Sequence, residues 1–307
     1  MRRRFALRPE EALFLGFAIA LGVVMAATGV RRLPSTWHPR FLECVALLGL
    51  AVGARAFARA RRARSPSPLG EAAGALATVA RDFAPFVAVL LLYETLHDLT
   101  PLVRPVPVDE TLAAIDRAVL GVDAAYWLGR FASPPLTRAM VLCYASYFVA
   151  PALLASAMYW SPAPRDRALF RDFMLSGAIA SLLGYAGYLL VPAVGPYVHQ
   201  AALFPERLPG GGPETHRFIA AIDDMKGVAR DCFPSLHTAH TTVVLVFARR
   251  FRRWAFLGYL PIALGLYVST VYLRMHYVVD VAAGFATAAA AVWLGPRLER
   301  RWFAQPA

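Results

Sequence analysis

Two short polar clusters in this chain carry side chains able to do chemistry: Asp231-Cys232-Phe233-Pro234-Ser235-Leu236-His237-Thr238-Ala239-His240, and the run from Ser269 to Asp280. In the first, Pro234 stands just ahead of Ser235 and His237 at the mouth of an apolar segment. That order predicts a helix start, whose first amides lack intrahelical partners and attract phosphate. In the second, His276 and Asp280 are four residues apart. A helix beginning near Met275 would stack them on one face, within reach of a carboxylate–imidazole hydrogen bond. Such a bond fixes the imidazole tautomer and leaves the other ring nitrogen free to attack or to move a proton. The fork of Arg274 suits phosphate oxygens, and Ser235 offers a hydroxyl beside the helix amides. His237 would protonate a leaving oxygen. Together these residue types fit phosphoryl transfer, in which positioning and charge stabilisation dominate.

The elements that must position them are membrane helices. The 307 residues are 58% hydrophobic, too apolar for an ordinary soluble domain and typical of a polytopic membrane protein. Candidate spans fall at about 12–30, 41–58, 83–99, 136–159, 172–193, 236–251, 255–271 and 277–295, separated by Pro-, Gly- or Arg-rich breaks. The expected fold class is therefore all-α, a polytopic bundle of about eight transmembrane helices. Arg2-Arg3-Arg4 ahead of the first apolar run would also suit a signal peptide, but a run of about one bilayer thickness favours a spanning helix. No internal repeat is visible. The organisation expected is an N-terminal two-span segment, residues 1–80, ahead of a catalytic membrane domain, residues 81–307.

The net charge of +12 comes almost wholly from arginine, Lys226 being the only lysine. These bases sit in short loops between apolar runs rather than along one soluble face, which argues against nucleic-acid binding. They cluster in alternate loops: Arg55 to Arg64, Arg165 to Arg171, Arg249 to Arg253, and Arg297 to Arg301. By the positive-inside rule these loops and both termini face the cytoplasm. The loops at about 100–135 and 194–235 and the turn near 272–276 then face outward, which puts both polar clusters on one outer face. Cys44, Cys143 and Cys232 have no metal-ligand spacing and suggest no disulfide framework.

Two outer segments are long enough to do more than connect. From Pro107 to Pro134, Leu112, Ile115, Ala118, Val119, Tyr126, Trp127 and Leu128 interleave with Asp116, Arg117 and Arg130. This predicts an amphipathic helix in the interface, serving either as a structural collar or in substrate recognition. The loop from Val194 to Cys232, with Gly195-Pro196-Tyr197 and Gly210-Gly211-Gly212-Pro213, predicts an irregular flap over the site. Glu94, His97 and Asp98 fall at or inside the third span, Glu43 near a span end. Tyr144 and Tyr147 would pack or line a lipid cleft.

At the two clusters the chain resembles the membrane type 2 phosphatidic acid phosphatases, or lipid phosphate phosphatases. Their second signature reads Pro-Ser-Gly-His and their third Ser-Arg-x5-His-x3-Asp. Here these stand as Pro234-Ser235-Leu236-His237 and as Ser269-Thr270 through Arg274, His276 and Asp280. With Phe233, Thr238, Ala239 and the upstream Gly195-Pro196, the variant looks like the branch containing inositol phosphorylceramide synthase, which transfers a phosphorylated head group between lipids. The resemblance runs from about Leu91 to Gly295 and leaves out the first two spans. It implies His276 as nucleophile forming a phosphohistidine, Asp280 orienting it, and His237 as acid to the leaving group. It implies Arg274 and Ser235 holding phosphoryl oxygens, no metal and no cofactor, a lipid phosphate or phospholipid substrate, and water or a lipid hydroxyl as acceptor.

The chain departs from the family pattern in three places. Leu236 replaces the usual glycine. Thr270 stands where the phosphatases carry arginine, and Arg274, four residues on, covers the same face only if this end of the span stays helical. For the first signature, Lys-x6-Arg-Pro, His97 with Arg104-Pro105 fits the spacing, whereas position in the span order selects Val191 to Tyr197, which holds no base. Arg104, Lys226 or Arg230 would then supply extra phosphate contacts. Other readings remain open at this level: zinc held by His237, His240, His276 and Asp280, a serine hydrolase using Ser235 without a nucleophile elbow, or a membrane transporter or lipid-binding protein whose polar clusters form a substrate pathway.

Overall fold

A computed structural model describes residues 7–28, 68–204, 206–209 and 230–304, apart from the side chains of Thr28, residues 68–73, Glu94, Thr95, His97, Asp98 and Ala304. The expected span at 41–58, with Glu43, and the flap residues Gly210 to Pro213 and Lys226 lie outside the described residues. Every regular element among the described residues is helical. Six of these helices are long and apolar enough to cross a bilayer. The chain is an all-α integral membrane protein.

It forms two compact units that meet in sequence at Leu102 and Val103. In the first, α1 (Pro9–Thr28) and α2 (Pro68–Val103) are joined by charge. Arg81 donates twice to the Glu11 carboxylate and Arg8 pairs with Asp82. The sequence placed a span at 83–99, with Arg81-Asp82 outside it. The helix instead runs straight through these charges, because partners on and beside α1 neutralise them, and reaches 36 residues. At 1.5 Å per residue that is about 54 Å, well beyond a bilayer core.

The second unit holds α3 (Asp109–Leu120), α4 (Ala124–Gly129), α5 (Pro134–Tyr159), α6 (Pro164–Leu190), the short α7 (Pro196–His199) with a 3-10 turn (Ala201–Leu203), α8 (Leu236–Phe251), α9 (Arg253–Tyr272) and α10 (Val278–Ala304). Proline opens α5, α6 and α7, where its fixed φ suits a first turn and its missing N–H removes nothing. α8 packs against α5, α6 and α9. Its 16 residues give a length of about 24 Å, and it buries apolar residues on several sides, among them Leu236, Val243, Val244, Leu245 and Phe247. It is the centre of the unit. Asp166, at the start of α6, receives two hydrogen bonds from Arg252 between α8 and α9 and so fastens that end of the unit.

At the other end lies the expected amphipathic helix, α3. Ile115 and Val119 are exposed on one face, as are Tyr126, Trp127 and Phe131 beyond it. The opposite face carries Asp109, Leu112, Ala113 and Asp116, all buried, at helical spacing. Leu112 and Ala113 pack in a cluster with Ala193, Cys232 and Tyr277. The two aspartates tie two remote backbone segments and a tyrosine hydroxyl. Asp109 accepts the amides of Val194 (3.0 Å) and Gly195 (2.8 Å) and the Tyr277 hydroxyl (3.1 Å). Asp116 accepts the amides of Val278 (2.7 Å) and Val279 (2.9 Å), capping α10 from another helix. Burial pushes the Asp116 carboxyl above its ordinary pKa, against the pull of those two amides. α3 is thus a collar bonded to the backbone around the polar clusters. Truncating Asp116 leaves two helix-start amides without an acceptor, each costing about 1–3 kcal/mol when buried. Thermal unfolding in detergent should therefore rank wild type above Asp116→Asn, which keeps one carbonyl acceptor, and Asn above Asp116→Ala. Equal midpoints for Ala and wild type would remove Asp116 from the fold's supports.

Candidate active site

The first polar cluster enters α8 as expected. A cis Phe233–Pro234 bond leads to Ser235, the N-cap, whose hydroxyl oxygen accepts the Thr238 amide at 3.3 Å and the Thr238 hydroxyl at 3.2 Å. This entry is possible because α6 presents Gly187 there. A Cβ on that residue would lie 2.3 Å from the Pro234 ring. The Ser235 amide donates to the Asp280 carbonyl at 3.0 Å and so joins the start of α8 to the first turn of α10.

The second cluster is a turn, not a continuous helix. α9 ends at Tyr272, and Arg274 has φ of 64°, in the left-handed region. Met275 N–H returns to the Thr270 carbonyl (3.0 Å) and Arg274 N–H to that of Val271 (2.9 Å), the paired bonds of a Schellman ending. Glycine is the usual residue at the left-handed position of that motif; here it is arginine. The helical stacking that would have put Arg274 over Thr270's face is therefore absent. The His276 amide also bonds the Thr270 carbonyl, at 3.1 Å. Gly195, itself at φ of 86°, passes so close that a Cβ would lie 2.6 Å from the Met275 carbonyl oxygen, and the Tyr197 amide donates to the Arg274 carbonyl at 2.9 Å.

α10 starts at Val278, so His276 precedes it and Asp280 sits in its first turn. The two side chains still meet, with His276 Nδ1 3.5 Å from Asp280 Oδ2. The same oxygen accepts the Tyr277 amide (2.8 Å), the reach-back half of a capping box, and the Cys232 thiol (2.9 Å). Asp280 Oδ1 is buried and makes no hydrogen bond among the described residues. On the other side of the imidazole, His276 Nε2 lies 3.3 Å from His237 Nδ1. The two histidines from the two clusters are thus in contact, backed by a buried carboxylate. The arrangement can present one imidazole nitrogen as nucleophile while a second imidazole exchanges a proton beside it.

His237 is held by aromatic rings, with Tyr144 at 4.4 Å and Tyr147 at 4.3 Å between centroids. The sequence weighed both tyrosines as packing or cleft residues; the structure gives them a shared task, which no local pattern announces. His240 points elsewhere: its Nε2 bonds Ser181 Oγ (2.9 Å), and its Nδ1 faces the Tyr147 hydroxyl (3.3 Å). That separates it from His276, so the four-residue zinc arrangement does not assemble. Cys232 is a member the sequence reading missed. Its thiol contacts Asp280, the Met275 carbonyl (3.2 Å) and His276 Nδ1 (3.6 Å). Burial first, then the charge of Asp280, pushes the thiol pKa well up.

The basic residues are placed less centrally. Arg274 is buried, donates to the Glu206 carbonyl at 3.1 Å and lies 4.2 Å over the Phe204 ring; among the described residues its Nε has no hydrogen-bond partner. Burial lowers its pKa. Arg104 donates to the carbonyl of Leu190, the last residue of α6, and Arg230 donates to the carbonyls of Arg104 (3.0 Å) and Pro105 (2.7 Å). Both guanidiniums hold backbone. Val191 to Tyr197 contains no base, and this segment instead braces Val108, Cys232 and the Arg274 turn through its backbone. Because the Pro234 entry depends on close approach to α6, Gly187→Ala should cost about 1–3 kcal/mol in overpacking. Gly177→Ala, with open space around its Cβ, should not. Thermal midpoints in detergent distinguish them, and equal midpoints would show that the approach is not tight.

A relative from Bacteroides thetaiotaomicron, named phosphoinositol dihydroceramide synthase, is 28% identical over 157 residues, covering 47% of this chain and 50% of the relative. The chain thus aligns with about half the length of that relative. No solved structure matches. The sequence model described as the PAP2 superfamily matches residues 110–294, from the collar helix through both histidines and most of α10. On that match, which takes in more than half of the chain, the protein belongs to the PAP2 superfamily.

Proposed function

We propose that this protein is a lipid phosphatase or head-group phosphotransferase working through a phosphohistidine on His276. The observation that carries the reading is the 3.3 Å approach of His237 Nδ1 to His276 Nε2, with Asp280 behind the second ring. With its Nδ1 proton turned toward Asp280, His276 bears a lone pair on Nε2. That nitrogen attacks phosphorus, the bond to the leaving oxygen breaks, and His237 gives that oxygen its proton. Water or a lipid hydroxyl then gives a proton to His237 and its oxygen to phosphorus, and the P–N bond breaks. To reach Nε2, the phosphoryl group takes the space His237 Nδ1 now occupies. Arg274 is the proposed clamp, its unpartnered Nε being a donor still to be satisfied, and the α8 start supplies amides. The name of the relative favours a lipid hydroxyl acceptor in sphingolipid chemistry, and the substrate proposed is a phospholipid head-group donor.

The same reading places the site on the outer face of a bacterial plasma membrane with both termini in the cytoplasm, from the arginine distribution. A cysteine introduced at Thr215 should react with an impermeant thiol reagent from outside intact cells. Labelling confined to inverted vesicles would reverse the orientation. For the chemistry, the protein in detergent should be offered lipid phosphates, phosphatidylinositol, ceramide and diacylglycerol together, with products read by mass spectrometry. A new phosphodiester would mark a transferase and free phosphate a phosphatase. His276→Ala should lose turnover by at least about 1000-fold, the order expected when a nucleophile is removed, and should lose any acid-labile phosphate trapped on the protein. Equal turnover in His276→Ala and wild type would end this assignment.

A further inference from the structure

Cys232 belongs to the buried group around His276, yet phosphoryl transfer gives it nothing to do. Its Sγ, His276 Nδ1 and Asp280 Oδ2 all lie within 4.8 Å of one another, and all three residues are buried. The pairwise separations are 2.9 Å for sulfur to oxygen, 3.5 Å for nitrogen to oxygen and 3.6 Å for sulfur to nitrogen. Metal–ligand bonds of about 2.0–2.3 Å in a tetrahedral site put ligand atoms roughly 3.3–3.8 Å apart. Two of the three edges already have that length. The short one is the hydrogen bond in which the thiol proton stands where a cation would.

Two further observations point to a cation. Asp280 Oδ1 is buried with no hydrogen-bond partner, so the carboxylate has unused acceptor capacity in a place where that is costly. The surrounding charge is negative: Asp109 and Asp231 act on the thiol along with Asp280, while the Arg274 guanidinium is drawn off to the Glu206 carbonyl and the Phe204 ring. A small recess lined by Asp116, Asp123, Gln200, Tyr277 and His276 gives an approach to the imidazole.

We infer that Cys232, His276 and Asp280 form a binding site for a divalent transition cation of the zinc class, and that its occupancy switches the proposed nucleophile off. The sulfur, nitrogen and oxygen set suits such a cation. On binding, the thiol proton leaves to solvent and a metal–sulfur bond forms; no electron changes hands. The imidazole binds the metal through Nδ1, so its one ring proton moves from Nδ1 to Nε2, the atom that must be bare to attack phosphorus. Binding stands on these three side chains alone; inhibition rests on the proposed role of His276.

The test uses the purified full chain in detergent, stripped with chelator, with cobalt(II) as probe for its thiolate-to-metal absorption. One equivalent should bind with that absorption and be displaced by zinc. Cys232→Ser should abolish the absorption and weaken binding beyond the roughly 10–100-fold that an outer-shell partner costs. A Cys44→Ser, Cys143→Ser double variant, with Cys232 as the remaining thiol, should keep both. Zinc should inhibit wild-type turnover and chelator restore it. No cobalt uptake by the wild type, or loss of the absorption in the double variant, overturns the site. Cobalt binding that depends on Cys232 in a protein without turnover on any lipid phosphate would uphold the site and sink the proposed function; turnover without cobalt uptake would do the reverse.

Discussion

The hydrogen bond from the Ser235 amide to the Asp280 carbonyl connects the starts of two helices 45 positions apart in sequence. Through it Ser235, two places ahead of His237, and Asp280, which supports His276, share one backbone contact. The distance between the two imidazoles is consequently set by main chain, with side-chain rotamers adjusting only the last part. Both helix starts are capped locally, α8 by Ser235 and α10 by Asp280. The α8 amide end is therefore oriented before any ligand arrives, which is the condition under which fixed dipoles act on a developing charge without reorganising, whereas the first α10 amides are taken by Asp116 and Asp280.

Around that contact the supports come from outside the two clusters. Asp116 and Asp109 reach from α3 to the α10 amides and to the loop before α7, and the Gly195 segment lies against the Met275 carbonyl. Tyr144 and Tyr147, one turn apart on α5, fix His237 from the side. The α3, α5, α7, α8 and α10 regions thus each contribute one kind of contact: carboxylate cap, aromatic wall, close backbone, amide start and carboxylate support. α6 adds the cleared space at Gly187. A shift in any of these elements would reach the histidine pair through packed atoms.

Most of the bundle was legible from hydropathy and punctuation, because runs such as 136–159 and 255–271 are long, apolar and bounded by Pro or Arg. The pairing of His276 with Asp280 was legible too, although for a different local reason: the sequence suggested one helical face, and the structure uses a residue just outside a helix and one in its first turn. The end of α9 was legible as a span closing near 271 with a turn at 272–276, but the form of that turn was not. A Schellman turn is normally announced by glycine, and Arg274 hides it. Asp116 looked like the polar side of an interfacial helix because its partners, the amides of 278–279, lie far along the chain. Arg81 and Asp82 read as a span boundary because pairing with α1 is invisible to a single window. Cys232 carried no spacing signal, since its neighbours come from the other cluster.

Arg274 gives the site a cost that can be located. A non-glycine residue held in the left-handed region carries about 1–3 kcal/mol of conformational strain, and this one also has a buried N–H without an acceptor. Glycine would suit the backbone turn better in both respects. A guanidinium at that position is a choice against local stability, so a redesign guided by thermal stability alone would replace Arg274 early. The scaffold would tighten at the very turn that leads into the histidine.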